Sequence, residues 1–104
     1  ARFCNEKQYG DALENYLKNG KMTYTREFVI PPLFENESKG RNKVDFIIED
    51  KILLEIKSKR VIEKSDYYQT KRYLKASNKK LGILVNFRDK LIKPKRVLNS
   101  DAKI

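Results

Sequence analysis

An aspartate, a glutamate and a lysine interrupt the apolar segment DFIIEDKILLEIK, which runs from Asp45 to Lys57. The segment reads as two strands joined by a short turn, and side chains alternate between the two faces of a strand. If the apolar rows of both strands line one core, Asp45, Glu55 and Lys57 converge on the opposite face. Ionised groups are buried only where they are paired or bind a ligand, so this face is a candidate functional site.

The alignment of these strands depends on the length of the turn between them. Directly opposed residues share a face, so Asp45 can oppose Glu55 or Lys57 only if the turn has an odd number of residues. A three-residue turn at 49–51 satisfies this condition. The predicted apolar rows are Val44, Phe46 and Ile48 in the first strand and Ile52, Leu54 and Ile56 in the second.

Two carboxylates in a half-buried cleft repel each other, which raises the proton affinity of one of them unless a cation lies between. A divalent metal relieves this conflict, and Mg²⁺ is commonly held by one or two carboxylates together with waters and phosphate oxygens. A purely structural alternative is a salt bridge across the strands between Asp45 and Lys57, with Glu55 pointing to solvent. These residues taken alone leave both interpretations open.

Composition restricts the chemistry further. The chain has 104 residues, which predicts a single domain over 1–104, and its 24 lysines and arginines against 14 acids give a net charge of +10. A domain this basic favours a polyanionic partner such as nucleic acid, although a solvated lysine-rich surface is the plain alternative. Because there is no histidine and Cys4 is the one cysteine, any metal must be held by oxygen.

Hydrophobic periodicity predicts the order α-β-β-β-α-β-β. The first helix runs over about 5–19, with Asn5 and Gln8 as a capping box, and a strand follows over 23–30. The second helix runs over 66–77, with Ser65 as its cap and Asn78 as its end. The predicted inner face of the first helix consists of Tyr9, Ala12, Leu13, Tyr16 and Leu17. In the second helix one side is shared by Tyr68, Gln69, Arg72, Tyr73 and Ala76.

The last two strands differ in character. The run LGILVNF is apolar on both faces, whereas Pro94 confines the final strand to an edge of the sheet. No run approaches the ~18 apolar residues of a membrane span and no signal-peptide pattern opens the chain, so we expect a soluble cytoplasmic protein with no membrane partner.

The chain resembles the PD-(D/E)XK nuclease superfamily, whose members carry an acid on the second core strand and an acid-x-lysine on the third. Here those residues are Asp45 and Glu55-Ile56-Lys57. The Q-x-x-x-Y element of RecB-like members is similar to 69–73, and Glu6 lies in a segment similar to the first helix of the small GxxExxY proteins. The resemblance implies an α/β fold with a restriction-endonuclease-like α-β-β-β-α-β core, its central mixed sheet flanked by helices.

The resemblance also implies roles for individual residues. Asp45, Glu55, the backbone carbonyl of Ile56 and Glu6 would hold Mg²⁺ or Mn²⁺, although Glu6 also fits as a first-turn helix acid. Lys57 would orient or activate a water, and Gln69 would orient Lys57 or a metal-bound water. The histidine that such proteins often carry before the glutamine is absent, and Asp66 lies in that neighbourhood. The expected nucleic-acid contacts are Arg41, Lys43, Lys59, Arg60, Lys71, Arg72 and Tyr73, with core packing as the other reading for Tyr73.

The expected function is metal-dependent hydrolysis of phosphodiester bonds in nucleic acid, with DNA as the first candidate and limited sequence specificity. Two alternatives stay open. One is a Holliday junction resolvase of the same superfamily, an enzyme that acts as a homodimer. The other is a nucleic-acid-binding module that kept this fold and lost catalysis.

Overall fold

In the part of the chain that the structure describes, seven elements follow one another in the predicted order α-β-β-β-α-β-β. The structure is a computed structural model that describes residues 4–32, 34–38, 40, 42–89 and 91–102. The elements are α1 (Glu6–Asn19), β1 (Tyr24–Val29), β2 (Lys43–Ile48), β3 (Ile52–Lys57), α2 (Lys64–Ser77), β4 (Leu81–Asn86) and β5 (Lys95–Leu98). Within the described ranges, neither helix is long and apolar enough to cross a membrane.

The five strands form one sheet in the order β1-β2-β3-β4-β5. Only β3 and β4 are parallel, because the crossover through α2 returns the chain to the same end of the sheet. The sheet is therefore mixed, as expected. The final strand begins directly after Pro94 and lies at an edge, which confirms the prediction from that proline.

The capping box of α1 is confirmed. The Asn5 side chain accepts a hydrogen bond from the backbone of Gln8, and the Gln8 side chain accepts one from the backbone of Asn5. The predicted inner face is only partly right, because Ala12 is exposed and Tyr16 is 81% exposed. Leu17 is the buried anchor of this helix, and Tyr9 and Leu13 pack beside it.

The start of α2 differs from the prediction. The helix begins at Lys64 with Glu63 as its N-cap, so Ser65 lies inside the first turn and does not cap it. The carboxylate of Asp66 instead accepts a hydrogen bond from the Glu63 N–H at 2.8 Å. The predicted terminator is right, because Asn78 adopts the left-handed conformation with φ 55°.

The residues that share one side of α2 in the sequence are buried only in part. Thr70, Tyr73 and Leu74 are buried, whereas Tyr68 is 60% exposed and Arg72 is exposed. The helix lies close against β4 because Gly82 has no side chain. A Cβ atom at Gly82 would lie 3.1 Å from Thr70 Cγ2 and 3.2 Å from Leu74 Cδ1.

The turn between β2 and β3 has three residues, as predicted. Phe46 pairs with Leu54 and Ile48 pairs with Ile52, so residues 49–51 connect the strands. Both Glu49 and Asp50 adopt φ values of 53°, a conformation that short polar turns accept.

The predicted apolar row of β2 is wrong at Val44. Phe46 and Ile48 pack on the α1 side, but Val44 packs with Ile47 on the α2 side. The alternation of side chains between the two faces of β2 changes next to Glu27 of β1. Glu27 has φ 55°, a left-handed conformation that interrupts the regular pleat. Paired positions flank this point, Arg26 with Phe46 and Phe28 with Val44.

The sheet separates two apolar clusters. On the α1 side the buried members are Leu17, Phe46, Ile48, Leu54, Ile56 and Val85. On the α2 side they are Ile30, Val44, Ile47, Leu53, Tyr73, Leu74 and Val97. The helices are thus held on opposite faces, and each brings its first turn towards one end of the sheet.

We expect Leu74→Ala to lower the free energy of unfolding by about 2–5 kcal/mol, because it leaves a cavity between α2 and the sheet. Tyr68→Ala on the same helix is the control and should stay within about 0.5 kcal/mol of the wild type. Urea denaturation followed by circular dichroism measures both. Equal losses for the two variants would contradict this assignment of the helix face.

Candidate active site

The backbone pairing of β2 and β3 ends at Phe46 and Leu54. Beyond this pair, the carboxylates of Asp45 and Glu55 accept the hydrogen bonds between the two strands. The Asp45 N–H donates to Glu55 Oε1 at 3.1 Å, and the Ile56 N–H donates to Asp45 Oδ2 at 2.7 Å. Hydrogen bonds to side chains therefore replace the next backbone-to-backbone hydrogen bonds of the ladder, and the two strands separate at this point. Glu55 is only 4% exposed, so its carboxylate lies inside the protein.

A cavity of about 200 Å³ lies beside this opening, between α1 and the sheet. Asp45, Ile56 and Glu6 all line it. The Ser58 N–H donates to Glu6 Oε2 at 3.0 Å, which fixes this carboxylate at the end of β3. Asp45, Ile56 and Glu6 are three of the four predicted metal-binding residues, and the fourth, Glu55, is hydrogen-bonded to Asp45.

The first turn of α1 is held at the site by three further contacts. Tyr9 stacks on Phe87 with ring centroids 4.4 Å apart and an angle of 9° between the planes. The Tyr9 hydroxyl accepts a hydrogen bond from the Cys4 N–H, and the Ser58 hydroxyl donates to the Cys4 carbonyl. These contacts place Glu6 next to the carboxylates of β2 and β3.

Lys57 approaches the site from the last position of β3. Its Nζ lies 3.4 Å from Gln69 Oε1 and 4.0 Å from the carboxylate of Asp66, both on α2. The side chain is 18% exposed, so the ammonium group is largely withdrawn from solvent. Gln69 therefore contacts the lysine that it was expected to orient.

Asp66 is a site residue whose role the sequence did not predict. Burial alone would raise its pKa, but the hydrogen bonds from the Glu63 N–H and the Lys59 ammonium hold the pKa below its ordinary value. Lys59 Nζ lies 3.0 and 3.2 Å from the two carboxylate oxygens. Its position three residues after the N-cap of a helix was the available signal, because that is the capping-box position.

Asn86 is a second residue to which sequence reasoning assigned no role in the site. It is 3% exposed and pairs with Lys57 across the parallel ladder between β3 and β4. Its amide holds the next loop, since Oδ1 accepts from the Lys59 N–H at 3.1 Å and Nδ2 donates to the Lys59 carbonyl at 2.7 Å. A buried amide at the end of a strand was the signal in the sequence.

The expected nucleic-acid contacts differ in exposure and in their partners within the fold. Lys43, Arg60, Lys71 and Arg72 are exposed, whereas Lys59 is ion-paired with Asp66. Tyr73 is 5% exposed and its hydroxyl donates to Asn42 Oδ1 at 3.4 Å, so it is a core residue with no open face for a ligand. Arg41 lies outside the described residues.

The two central acids hold their protons unusually tightly. Burial, and then the nearby charge of Asp45, raise the pKa of Glu55 to about 8. Burial also raises the pKa of Asp45. Since Glu55 is buried and no ion pair joins Asp45 to Lys57 among the described residues, the alternative of a surface salt bridge across the strands is wrong.

A hard cation would suit this pair of acids. Across the described part of the chain, no group of three cysteine, aspartate or glutamate side chains could hold a metal by itself. Mg²⁺ needs only one or two carboxylates when waters and phosphate oxygens complete its coordination. The oxygen donors of Asp45, Glu55 and the Ile56 carbonyl fit that requirement.

Glu55→Gln should remove most of the pH dependence of stability between pH 5 and pH 8. A carboxyl whose pKa rises from 4.5 to about 8 on folding binds its proton more tightly in the folded state. The free energy of unfolding of the wild type should therefore fall across this interval, by on the order of 3–5 kcal/mol.

Urea denaturation in EDTA at several pH values measures this dependence. The exposed Glu35→Gln is the matched control and should keep the wild-type slope. An unchanged slope in Glu55→Gln would show that this carboxyl is not the group that titrates.

Comparisons with known proteins support a family assignment. The structure is similar to that of an alkaline exonuclease from Laribacter hongkongensis, with a TM-score of 0.61, 17% sequence identity and 97% of this chain covered. The chain spans 62% of that exonuclease, and this likeness shows a shared fold. None of the curated protein sequences compared matches the chain. The family model of the PD-(D/E)XK nuclease superfamily matches residues 2–97, and the chain therefore belongs to that superfamily.

Proposed function

We propose that the protein is a divalent-metal-dependent nuclease that hydrolyses phosphodiester bonds of DNA with limited sequence specificity. One observation carries the proposal. Glu55 is buried and Asp45 is half-buried where β2 and β3 separate, and Lys57 follows Glu55 two residues later on the same strand. Two acids with raised pKa values beside a largely shielded lysine are costly for folding alone, and such groups cluster at functional sites.

Asp45, Glu55 and the Ile56 carbonyl would hold Mg²⁺ or Mn²⁺, and Glu6 would act as an outer or second-metal ligand across the cavity. The bound cation supplies charge that polarises the phosphodiester and makes a coordinated water more acidic. Glu6 is fixed by the Ser58 N–H, so α1 and the end of β3 hold this carboxylate in place.

Lys57 would place a positive charge next to the phosphate of the substrate. Its ammonium can donate to a non-bridging oxygen or orient the attacking water, and both roles require a fixed position. Gln69 Oε1 accepts from one side and Asp66 lies 4.0 Å away, so α2 restrains the group. Gln69 is thereby a positioning residue in the proposed mechanism.

The proposal of a nucleic-acid substrate is supported by charge and by the structural neighbour, and DNA is the first candidate within that class. A net charge of +10 favours a polyanion, and the neighbour is described as an alkaline exonuclease. Exposed cations such as Lys43, Lys71 and Arg72 can contact phosphates. Phosphate contacts position a substrate without reading its sequence, which accounts for the proposed limited specificity.

Mg²⁺ or Mn²⁺ should raise the stability of the folded protein at pH 8, by about 1–3 kcal/mol at concentrations well above Kd. The cation binds the ionised acids, whose repulsion it relieves. Thermal unfolding with increasing metal measures the effect, and Asp45→Asn should lose it. A folded wild-type protein that shows no metal-dependent shift would contradict the metal site.

Lys57→Ala should lose at least about a hundredfold in cleavage rate while still binding DNA, because one fixed charge on the phosphate is removed. The assay uses labelled single-stranded, duplex and four-way-junction DNA with Mg²⁺ or Mn²⁺ at matched salt. Lys51 lies in the exposed turn at the other end of β3. As the matched control, Lys51→Ala removes the same charge and should keep the wild-type rate.

The substrates in this assay also separate the other readings. Preference for the four-way junction by a stable dimer would favour a resolvase. Binding by wild type and variant without cleavage by either would favour a non-catalytic module.

A further inference from the structure

A second cavity lies beside β4, one strand away from Glu55 and Lys57. It measures about 310 Å³ and is bounded by the loop after β3, the start of α2, the end of β4 and the segment leading into β5. Its volume is at the low end of the range for small-ligand pockets. Leu84 and Asn86 contribute from β4, and these two residues pair with Glu55 and Lys57 of β3.

The cavity is adjacent to the proposed active site. Neighbouring strands are about 4.8 Å apart, so Lys57 is one strand away from the wall formed by Asn86. The loop at Lys59 is bound to Asn86 through both its N–H and its carbonyl, and the Phe87 N–H donates to the Lys57 carbonyl at 2.9 Å. The lysine and the cavity wall are thus held as one unit.

Positive charge dominates the rim of this cavity. Arg60, Lys93 and Lys95 line it and are exposed. In the described residues none of these three cations forms an ion pair with a carboxylate, in contrast to Lys59. One carboxylate, that of Asp89, also lines the cavity, and it accepts a hydrogen bond from Asn86 Nδ2 at 3.2 Å.

The remaining wall is apolar and aromatic. Val61, Ile62 and the ring of Tyr67 line it, and Val61 is 62% exposed. Cations alone would serve the phosphates of a duplex, whose bases are stacked inside. An apolar and aromatic surface beside the cations matches an unpaired nucleotide, which offers a phosphate and a free base face together.

We infer that this cavity binds an unpaired nucleotide of the substrate strand, with Arg60, Lys93 and Lys95 contacting its phosphate and Val61, Ile62 and Tyr67 contacting its base. The inference rests on the proposed nuclease function, because it places one nucleotide of the strand beside the bond at Lys57. It assigns a substrate class, namely single-stranded DNA or the unpaired end of a duplex.

The test measures binding in EDTA, where cleavage cannot interfere. Fluorescence anisotropy compares a labelled single-stranded oligonucleotide with a blunt hairpin duplex. The double variant Arg60→Ala/Lys95→Ala should bind the single strand roughly tenfold or more weakly than wild type. The slope of log K against the logarithm of the salt concentration should be shallower by about 1.4, because each lost phosphate contact removes ~0.7 from it. The double variant Lys18→Ala/Lys51→Ala removes the same charge elsewhere and should bind the single strand within about twofold of wild type.

A second variant tests the base contact. Val61→Ser should lower the preference for single-stranded over duplex DNA without changing the salt dependence, whereas Val29→Ser on the edge strand β1 should leave the preference unchanged. Competition with a deoxynucleoside monophosphate distinguishes a pocket for free nucleotides from one that needs a strand. Weak competition by the monophosphate is expected, and displacement at equal concentration would overturn the assignment to a strand.

Equal loss of single-stranded and duplex binding in the Arg60→Ala/Lys95→Ala variant would also overturn the inference. So would equal losses in the two double variants. These outcomes are distinct from a failure of the nuclease proposal, which would appear as binding in EDTA that is never followed by cleavage when metal is added.

Discussion

The shielding of two acids where β2 and β3 separate is the constraint on which the rest of the site depends, since Glu55 is buried there and Asp45 is half-buried. A carboxylate shielded from water needs hydrogen-bond donors. Here Glu55 accepts a hydrogen bond from the Asp45 N–H of β2, and Asp45 accepts one from the Ile56 N–H of β3. Those hydrogen bonds replace the next backbone-to-backbone hydrogen bonds between β2 and β3. The site is therefore formed by the same interactions that end the pairing of the hairpin, so its geometry follows from the register of two strands.

The helices complete the site from opposite faces of the sheet. The first turn of α1 brings Glu6 to the end of β3, and the first two turns of α2 bring Asp66 and Gln69 to Lys57. The crossover through α2 makes β3 and β4 parallel, which places Asn86 beside Lys57. Each helix is anchored by its own apolar cluster, and core packing thereby determines the position of the polar groups.

The distribution of paired and unpaired charge separates structural cations from those available to a ligand. Lys59 is bound by Asp66, and Arg26 is bound by Asp11 and Glu14, so both are occupied within the fold. The cations around the second cavity have no such partners in the described part of the chain, and the cavity wall formed by Leu84 and Asn86 lies one strand away from Glu55 and Lys57. Under the proposed function, a nucleic-acid strand at this end of the sheet would meet the acids and the lysine on one side and the unpaired cations on the other.

The order of elements, the three-residue turn and the approach of Asp45 to Glu55 follow from the sequence, because alternation along a strand is a local property. The displaced position of Val44 does not, since it depends on the left-handed Glu27 of the neighbouring strand. The partners of Asp66 and Asn86 likewise required the tertiary structure. Asn86 bonds to Lys59, 27 residues away in the chain, and such a contact leaves no periodic signal. Asp66 bonds to the nearer Lys59 and Glu63, but its partners depend on how the loop after β3 leads into α2.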